Sequence, residues 1–402
     1  MRGRDGYGRP VAAPLVPADI ASASCYALPR REPMPVAVPQ FAGDSRRSRN
    51  PTAVRRSTMR LEHVRERLRA AGARPCHERH ILRAWTRALP LGSGPQRAEV
   101  FLPRRLRGDL AAIAAELAGL ASLHSEHPAA DGSMRLLVEL ADGQTVECVL
   151  LPGDGLCVST QVGCAVGCVF CMTGQGGLAR QLGSAEIVAQ VALARSLRAV
   201  RKVVFMGMGE PAHNLDNVLA AIELLATEGD IGHKNLVFST VGDRRVFERL
   251  PRQRVKPALA LSLHSTRADL RAQLLPRAPR ISPADLVAQG ERYARATGYP
   301  IQYQWTLIEG VNDGDDEVEG ILELLRGRYA IMNMIPFNTI AGLAYRRPSA
   351  ERAEAIMRTL SRRGVLTRLR QSAGQDVDAG CGQLRARERA DAPRRIEIRA
   401  AS

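Results

Sequence analysis

Three cysteines lie close enough in the sequence to bind metal from a single loop. Cys164, Cys168 and Cys171 have the spacing C-x3-C-x2-C. Three thiolates in one loop can each bind one iron of a [4Fe–4S] cluster, and the fourth iron then lacks a protein ligand. That open iron can chelate S-adenosylmethionine (SAM), and one electron from the cluster can then cleave the sulfonium. The competing interpretation is a structural zinc loop, but zinc sites usually have four ligands, and a second cysteine pair is missing.

Polar residues that could bind such a cofactor follow segments with strand character. Gly209 and Glu210 follow one such segment. A glycine lets a ligand approach the backbone closely, and a carboxylate can accept hydrogen bonds from an ammonium group. His264 and Asn338 follow two other strand-like segments. On pattern alone each of these residues also fits a structural role, as a turn glutamate, a core histidine or a loop asparagine.

The elements that must position these residues alternate between strand and helix from about residue 157 onward. The predicted strands are 202–206, 236–239, 258–262, 301–305, 331–335 and 365–369, and the predicted helices lie near 185–199, 216–227, 283–297, 317–327 and 349–363. Regular alternation of this kind is typical of an α/β protein with a parallel sheet or barrel. Its active site is expected at the carboxyl ends of the strands.

The cysteine spacing resembles that of the radical SAM superfamily, and the wider sequence resembles one family within it, the RlmN/Cfr RNA adenosine methyltransferases. The motifs that carry the resemblance occur in the family's order: 157–174 (CVSTQVGCAVGCVFCMTG), 206–211 (MGMGEP), 239–240 (ST), 262–264 (SLH), 311–313 (VND), 333–338 (NMIPFN) and 376–384 (DVDAGCGQL). The match is close over about 150–385 and looser over 76–150. It implies a partial (β/α)6 TIM-like radical SAM barrel with a small N-terminal accessory domain.

The resemblance also implies which residues hold the two cofactors. Cys164, Cys168 and Cys171 match the ligands of the [4Fe–4S] cluster. The positions that match the family's SAM contacts are Gly209, Glu210, Ser239, Ser262, Leu263, His264 and Asn338.

Three further residues match catalytic positions of the family. Cys381 matches the cysteine that SAM methylates, and whose methyl group then becomes a radical that adds to an adenine carbon. Cys157 matches the cysteine that attacks the Cys381 sulfur and releases the methylated RNA, leaving a disulfide to be reduced. Glu147 matches a glutamate that acts as the general base on the adduct. On sequence alone, a buried strand cysteine and an exposed strand glutamate are the competing interpretations of Cys157 and Glu147.

Composition agrees with a polyanionic partner without demonstrating one. The formal net charge is +16, and Lys202, Lys234 and Lys256 are the only lysines. Arginine binds phosphate and stacks on bases, although an arginine skew also arises in GC-rich genomes. No apolar run approaches the roughly 20 residues of a membrane-spanning helix, and no secretory signal is visible. We therefore expect a cytoplasmic protein, with a monomer as the default. The resemblance implies an electron donor such as a flavodoxin-type protein.

The predicted organisation has four parts. Residues 1–58 form a disordered basic tail, 59–150 an accessory RNA-binding domain, 151–385 the radical SAM core, and 386–402 a basic C-terminal tail. Within the accessory part, 61–123 has helical periodicity, and 134–140 and 145–151 form a hairpin around Asp142-Gly143. Cys76-His77-x-x-His80 is interpreted as part of a helix without a metal role.

The function predicted from these observations is methylation of C2 of an adenosine in large-subunit ribosomal RNA, with transfer RNA as a second substrate. A C8 methyltransferase of the same family uses the same cysteines and stays open as an alternative. A radical SAM enzyme with a non-RNA substrate and an iron–sulfur RNA-binding protein without turnover are the alternatives from other classes.

Overall fold

A ten-stranded mixed sheet organises the protein. The structure is a computed structural model and describes residues 58–340 and 342–386. Its strands are β1 (Ala121–Pro128), β2 (Met134–Leu140), β3 (Thr145–Leu151), β4 (Gly155–Cys157), β5 (Gln161–Gly163), β6 (Leu178–Gln181), β7 (Lys202–Phe205), β8 (Leu236–Thr240), β9 (Ala258–Ser262), β10 (Ile301–Leu307), β11 (Ala330–Pro336) and β12 (Thr367–Leu369). The sheet has the order β1-β2-β3-β4-β7-β8-β9-β10-β11-β12, and β5 and β6 pair separately.

Helices connect the strands and cover the sheet. They are α1 (Leu61–Ala70), α2 (Pro75–Thr86), α3 (Ala98–Phe101), α4 (Arg104–Ala118), α5 (Met172–Gln175), α6 (Ser184–Leu197), α7 (Leu215–Thr227), α8 (Arg244–Arg249), α9 (Ala268–Leu274), α10 (Pro283–Thr297), α11 (Asp315–Leu325) and α12 (Ala350–Arg362). None of those in the described ranges has the length and hydrophobicity that crossing a membrane requires.

The two halves of the sheet differ in strand direction. Strands β1 to β4 are antiparallel, whereas β4 and β7 to β12 run parallel to their neighbours. Strands of a parallel sheet are usually buried on both faces. Phe238 in β8 and Leu261 in β9 are fully buried, as this arrangement requires. The last strand pairs with β11 and not with β4, so the parallel part stays open rather than closing into a barrel.

Most of the predicted elements are present. The hairpin at 134–151, all six predicted strands of the core and all five predicted helices occur within a few residues of their predicted bounds. The α/β fold class is confirmed. Short β4, which carries Cys157, adds a further parallel strand beside β7 that the sequence pattern did not reveal.

The helical prediction was wrong at residues 121–123. The spacing of Ile113, Leu117 and Leu120 suits a helix, but α4 ends at Ala118, and Ala121 begins β1 instead. Ala121 pairs with Leu140 of β2, and this long-range pairing overrides the local periodicity.

The boundary predicted at residue 150 falls inside the continuous sheet, because β3 pairs with β2 on one side and β4 on the other. All the described residues belong to one compact unit. The division into accessory domain and core therefore stays a prediction. The tails predicted over 1–58 and 386–402 lie outside the described residues except for Thr58 and Ala386.

The continuous sheet predicts cooperative unfolding of its two halves. Leu136 in β2 and Leu261 in β9 are each fully buried. We expect Leu136→Ala and Leu261→Ala each to lower the free energy of unfolding by about 2–5 kcal/mol, because both leave a cavity. Urea titrations can follow the two halves separately by fluorescence of Trp85, in α2, and Trp305, in β10, in variants that keep one tryptophan each.

Both tryptophans should report the same shifted midpoint for either leucine variant. Leu366→Ala is the control, since that side chain is 57% exposed and its loss should change the free energy by less than about 0.5 kcal/mol. A Leu136→Ala variant in which only the Trp85 signal shifts would show that the halves unfold independently.

Candidate active site

The three clustered cysteines lie in a loop, residues 164–171, called here the cysteine loop. It leaves β5 through Gly163, whose φ is +77°. A Cβ atom there would lie 2.0 Å from the Gly177 carbonyl oxygen, so glycine is required. The loop is tied to α9 by a hydrogen bond from the Val169 amide to the Leu274 carbonyl at 3.1 Å, and to the segment after α9 by one from the Arg277 amide to the Val166 carbonyl at 3.2 Å. The helix thus holds the loop at the edge of the sheet.

The cysteine-loop thiols are protonated in the absence of metal. Burial raises the pKa of Cys164 to about 12 and that of Cys168 well above its usual value, and repulsion between the sulfurs adds to the effect. None of these cysteines forms a disulfide. Metal binding must therefore displace their protons.

The donor set of the cysteine loop fits a cluster. Among the described residues, no three His, Cys, Asp or Glu side chains converge on the position of a single ion. In a [4Fe–4S] cluster each thiolate binds a different iron, so the sulfurs need not converge on one point. Three thiols on one loop, near enough to raise one another's pKa, match that requirement.

Gly209 and Glu210 follow β7 at the carboxyl edge of the sheet. Gly209 has φ +106°, and a Cβ there would lie 2.6 Å from the Gln161 side chain, so no larger residue fits. The Glu210 carboxylate accepts hydrogen bonds from the amides of Ala212 and Val241, each at 3.0 Å. Burial raises the pKa of Glu210 to about 7 against the effect of these bonds. The carboxylate is therefore close to the balance between its charged and neutral forms.

His264 lies after β9 against the cysteine loop. Its ring centroid is 4.8 Å from that of Phe170, and its Nδ1 accepts a hydrogen bond from the Thr306 amide at 2.9 Å. Burial lowers the pKa of His264 to about 3, and the charge of Arg271 lowers it further, so the ring is neutral. Its φ of +60° is left-handed, and the Asn312 side chain donates to its carbonyl at 2.7 Å. This strained backbone fixes the ring at the strand end.

The remaining predicted SAM contacts lie along the same edge. Ser239 and Ser262 are half-buried near the ends of β8 and β9, and Leu263 is buried beside His264. Asn338 follows β11, and its Oδ1 is buried without a hydrogen-bond partner among the described residues. An unpartnered buried oxygen is costly, so this atom is available to a ligand's donor.

The loop that carries Cys381, residues 370–386, is called here the Cys381 loop. It contacts the residue that follows the cysteine loop, because the Met172 amide donates a hydrogen bond to the Gly382 carbonyl at 2.7 Å. The Asn338 side-chain nitrogen donates to the Cys381 carbonyl at 2.9 Å and to Ser372 at 2.8 Å. Cys381 itself is exposed. The fold therefore brings an exposed thiol, distant in sequence, close to the segment that carries the three clustered ones.

The same loop is also attached to the antiparallel half of the sheet. Asp131, in the β1–β2 turn, accepts a hydrogen bond from the Gly374 amide at 2.9 Å. Asp376 accepts one from the Ala130 amide at 3.1 Å. The Cys381 loop thus bridges the predicted accessory part and the predicted core.

Glu147 provides a third attachment of the Cys381 loop. It is 1% exposed and forms an ion pair with Arg135 of the neighbouring strand. Its Oε2 accepts hydrogen bonds from the amides of Arg385 at 2.7 Å and Ala386 at 3.1 Å. The competing interpretation of an exposed strand glutamate was wrong. The carboxylate is engaged in holding the Cys381 loop, and the general-base role stays a prediction.

Arg135 is a site residue that the sequence reasoning missed. The Asp142-Gly143 turn sets Leu137 opposite Glu147, which places Arg135 as the diagonal neighbour of Glu147 on the same face. The hairpin register places the positive charge of Arg135 diagonal to the negative charge of Glu147. This opposite-charge pair was visible in the sequence and would have predicted the ion pair.

Cys157 ends β4 and is buried, as one of its two interpretations predicted. Burial raises the pKa of its thiol to about 12, and the charge of Cys381 raises it further. A hydrogen bond from the Met206 backbone and the positive charge of Arg370 act in the opposite direction. The two cysteines therefore lie within electrostatic range of each other, with a cation near the buried one.

Glu147→Gln should release the C-terminal end of the Cys381 loop. The variant removes the carboxylate charge that pairs with the buried Arg135 guanidinium, so we expect the free energy of unfolding to fall by about 3–5 kcal/mol. Hydrogen–deuterium exchange at the Arg385 and Ala386 amides should become faster, because their shared acceptor loses its charge.

Glu139→Gln is the matched control, on the adjacent strand with its side chain 48% exposed. It should change the free energy of unfolding by less than about 0.5 kcal/mol and leave exchange unaltered. Unchanged exchange at residues 380–386 in Glu147→Gln would contradict the attachment described above.

Comparisons with known proteins place this site in a family. Residues 158–325 match the model of the Radical SAM superfamily. A protein from Leptothrix cholodnii named "Probable RNA methyltransferase" is 72% identical over 341 residues, which cover 85% of this chain and 98% of that protein. One from Pseudomonas aeruginosa PAO1, also named as a probable RNA methyltransferase, is 68% identical over 346 residues, covering 85% and 100%.

A solved structure agrees with the sequence comparisons. The radical SAM methyltransferase from Sphaerobacter thermophilus superposes with a TM-score of 0.70 at 35% identity, covering 82% of this chain and 98% of that one. The open parallel sheet and the cysteine loop are thus those of a radical SAM fold, which implies SAM and a [4Fe–4S] cluster as cofactors. The chain belongs to the radical SAM superfamily and, within it, to the family of these relatives.

Proposed function

We propose that this protein is a radical SAM RNA methyltransferase of the RlmN/Cfr type, which methylates C2 of an adenosine in ribosomal RNA. Transfer RNA is proposed as a second substrate. The observation that carries the proposal is the attachment of the Cys381 loop to the residue after the cysteine loop, through Met172 and Gly382. The names of the relatives support RNA as the substrate class.

The residues at the carboxyl edge of the sheet would hold the cofactors. Cys164, Cys168 and Cys171 would bind the cluster, and Gly209, Glu210, Ser239, Ser262, Leu263, His264 and Asn338 would bind SAM. When bound, these groups supply a methyl group and a 5′-deoxyadenosyl radical. The Oδ1 of Asn338, unpartnered among the described residues, supports this assignment, because it leaves a buried acceptor for a ligand's donor.

Cys381 would carry the methyl group between SAM and the base. Its thiolate would displace the methyl group from the sulfonium, since an adenine C–H carbon is not nucleophilic enough to do so. Exposure of the Cys381 side chain supports this role, because a methyl carrier must reach both the cofactor and a large RNA. The hydrogen bond from Asn338 to the Cys381 carbonyl would keep the thiol near the SAM site.

Cys157 would release the product. Its thiolate would attack the Cys381 sulfur, so that a disulfide forms as the bond from that sulfur to the methylene carbon on the RNA breaks. That carbon keeps the electron pair and takes up a proton, which completes the methyl group. The Cys157 thiol, with a pKa of about 12, must lose a proton first. The positive charge of Arg370 favours the thiolate and supports the role.

Ribosomal RNA from a bacterial host that lacks its own adenine C2 methyltransferase tests the proposed reaction. We expect expression of this protein to produce 2-methyladenosine, measured by mass spectrometry of the digested nucleosides. Cells that express the Cys168→Ala variant provide the control, because loss of a proposed cluster ligand should abolish the product.

Appearance of 8-methyladenosine instead would overturn the C2 assignment in favour of C8. If neither product appears although the purified protein contains an intact cluster, ribosomal RNA is not the substrate. The methyl group would then be transferred to a different molecule.

The two catalytic cysteines should fail at different steps. Cys381→Ala should abolish methyl transfer while cleavage of SAM persists, because the cofactor residues are unchanged. Cys157→Ala should trap the enzyme on RNA as a covalent adduct, detectable by denaturing gel electrophoresis.

Cys76→Ala is the matched control, as this half-buried cysteine lies in α2 away from the cysteine loop and should keep normal turnover. Free methylated RNA at the wild-type rate from either Cys381→Ala or Cys157→Ala would refute the cysteine mechanism.

A further inference from the structure

Arg271 is a buried cation beside the cysteine loop. It lies in α9, the helix whose Leu274 carbonyl accepts a hydrogen bond from Val169 of that loop. Only 4% of the residue is exposed. The guanidinium reaches the carboxyl edge of the sheet, where Nη2 donates to the Val241 carbonyl and, at 3.1 Å, to the Ser262 carbonyl.

No carboxylate neutralises this guanidinium in the described part of the chain. Its two acceptors are backbone carbonyls, and its Nε is buried without an acceptor. Arg135, which is equally buried, shows the usual arrangement, since Glu147 is its direct ion-pair partner. A charge buried without a counter-charge is strongly unfavourable, so the environment of Arg271 is electrostatically incomplete.

The ionisable groups around Arg271 identify what is missing. His264 is neutral, and the Glu210 carboxylate is occupied by the Ala212 and Val241 amides. The cysteine loop, tied to α9 by the hydrogen bond from Val169 to Leu274, is the neighbouring segment whose thiolates would carry negative charge. Cys168 is the thiol within electrostatic range of the guanidinium. Burial lowers the pKa of Arg271 only to about 10, so it stays charged at neutral pH. The missing counter-charge therefore lies on the side of the cysteine loop.

We propose that Arg271 is the counter-ion of the iron–sulfur cluster. The inference rests on the cluster assignment of the proposed function and assigns a charge-balancing role to a residue outside the cysteine motif. A cluster held by three thiolates is an anion, and it becomes more negative when it accepts an electron. A guanidinium fixed in a low-dielectric site stabilises the reduced form more than the oxidised form. Arg271 accordingly raises the reduction potential of the cluster, because that potential depends on the net charge around it.

The test is a reduction titration of the reconstituted protein. Wild type, Arg271→Gln and Arg271→Lys are loaded anaerobically with iron and sulfide, and their iron content is measured. Titanium(III) citrate then reduces each protein while electron paramagnetic resonance follows the reduced cluster. We expect a midpoint potential more negative than wild type for Arg271→Gln and close to wild type for Arg271→Lys, which keeps the charge.

Arg277→Gln is the matched control. Arg277 also contacts the cysteine loop, donating to the Ala165 carbonyl at 3.2 Å, but it is exposed. Solvent screens its charge, so its loss should leave the potential unchanged. A shift in Arg277→Gln equal to that of Arg271→Gln would overturn the proposal, because it would show a general effect of positive charge.

SAM affinity, measured by equilibrium dialysis on the same samples, separates the remaining outcomes. An unchanged potential with weakened SAM binding in Arg271→Gln would overturn the proposal and assign the guanidinium to the SAM carboxylate. An unchanged potential with unchanged binding would also overturn it. If Arg271→Gln assembles no cluster, assembly in Arg271→Lys supports the charge role, and failure in both overturns it. Wild type that binds no iron would instead refute the proposed function.

Discussion

Glu147 is buried in the third strand, and its two carboxylate oxygens serve different parts of the chain. One pairs with Arg135 inside the sheet, and the other accepts the amides of Arg385 and Ala386. Because a buried carboxylate needs several donors, this residue can hold the end of the Cys381 loop more firmly than a surface contact could. The geometry of the proposed active site depends on that attachment, since Cys381 precedes Arg385 in the same loop.

The carboxyl edge of the parallel strands gathers the other proposed groups. Gly209 lets the backbone after β7 pack against Gln161 and Thr160, where a Cβ would collide. The polar side chains of Glu210 and His264 are anchored by backbone hydrogen bonds, so they do not depend on a ligand for their orientation. A site arranged in this way is preorganised, which lowers the entropy that ligand binding must overcome.

Burial sets the charge state of the site before any cofactor binds. The cysteine-loop thiols are protonated, Glu210 has a pKa of about 7, and His264 is neutral. Arg271 is the exception, because a guanidinium resists deprotonation even when its pKa is lowered. The site can therefore accept anionic groups, and the loss of thiol protons on metal binding would supply the negative charge that Arg271 lacks among the described residues.

The sequence by itself determined whatever depends on local spacing. The C-x3-C-x2-C loop, the core strands, the main helices and the hairpin at Asp142-Gly143 follow from short-range patterns, and the structure retains them. Only the tertiary structure decided that Ala121 begins a strand and that Glu147 holds the Cys381 loop. It also decided that Arg271 is buried with no carboxylate partner in the described part of the chain. The first two features depend on pairs that meet across 19 positions, Ala121 with Leu140, and 238 positions, Glu147 with Arg385. No local period encodes which distant groups will share a buried environment.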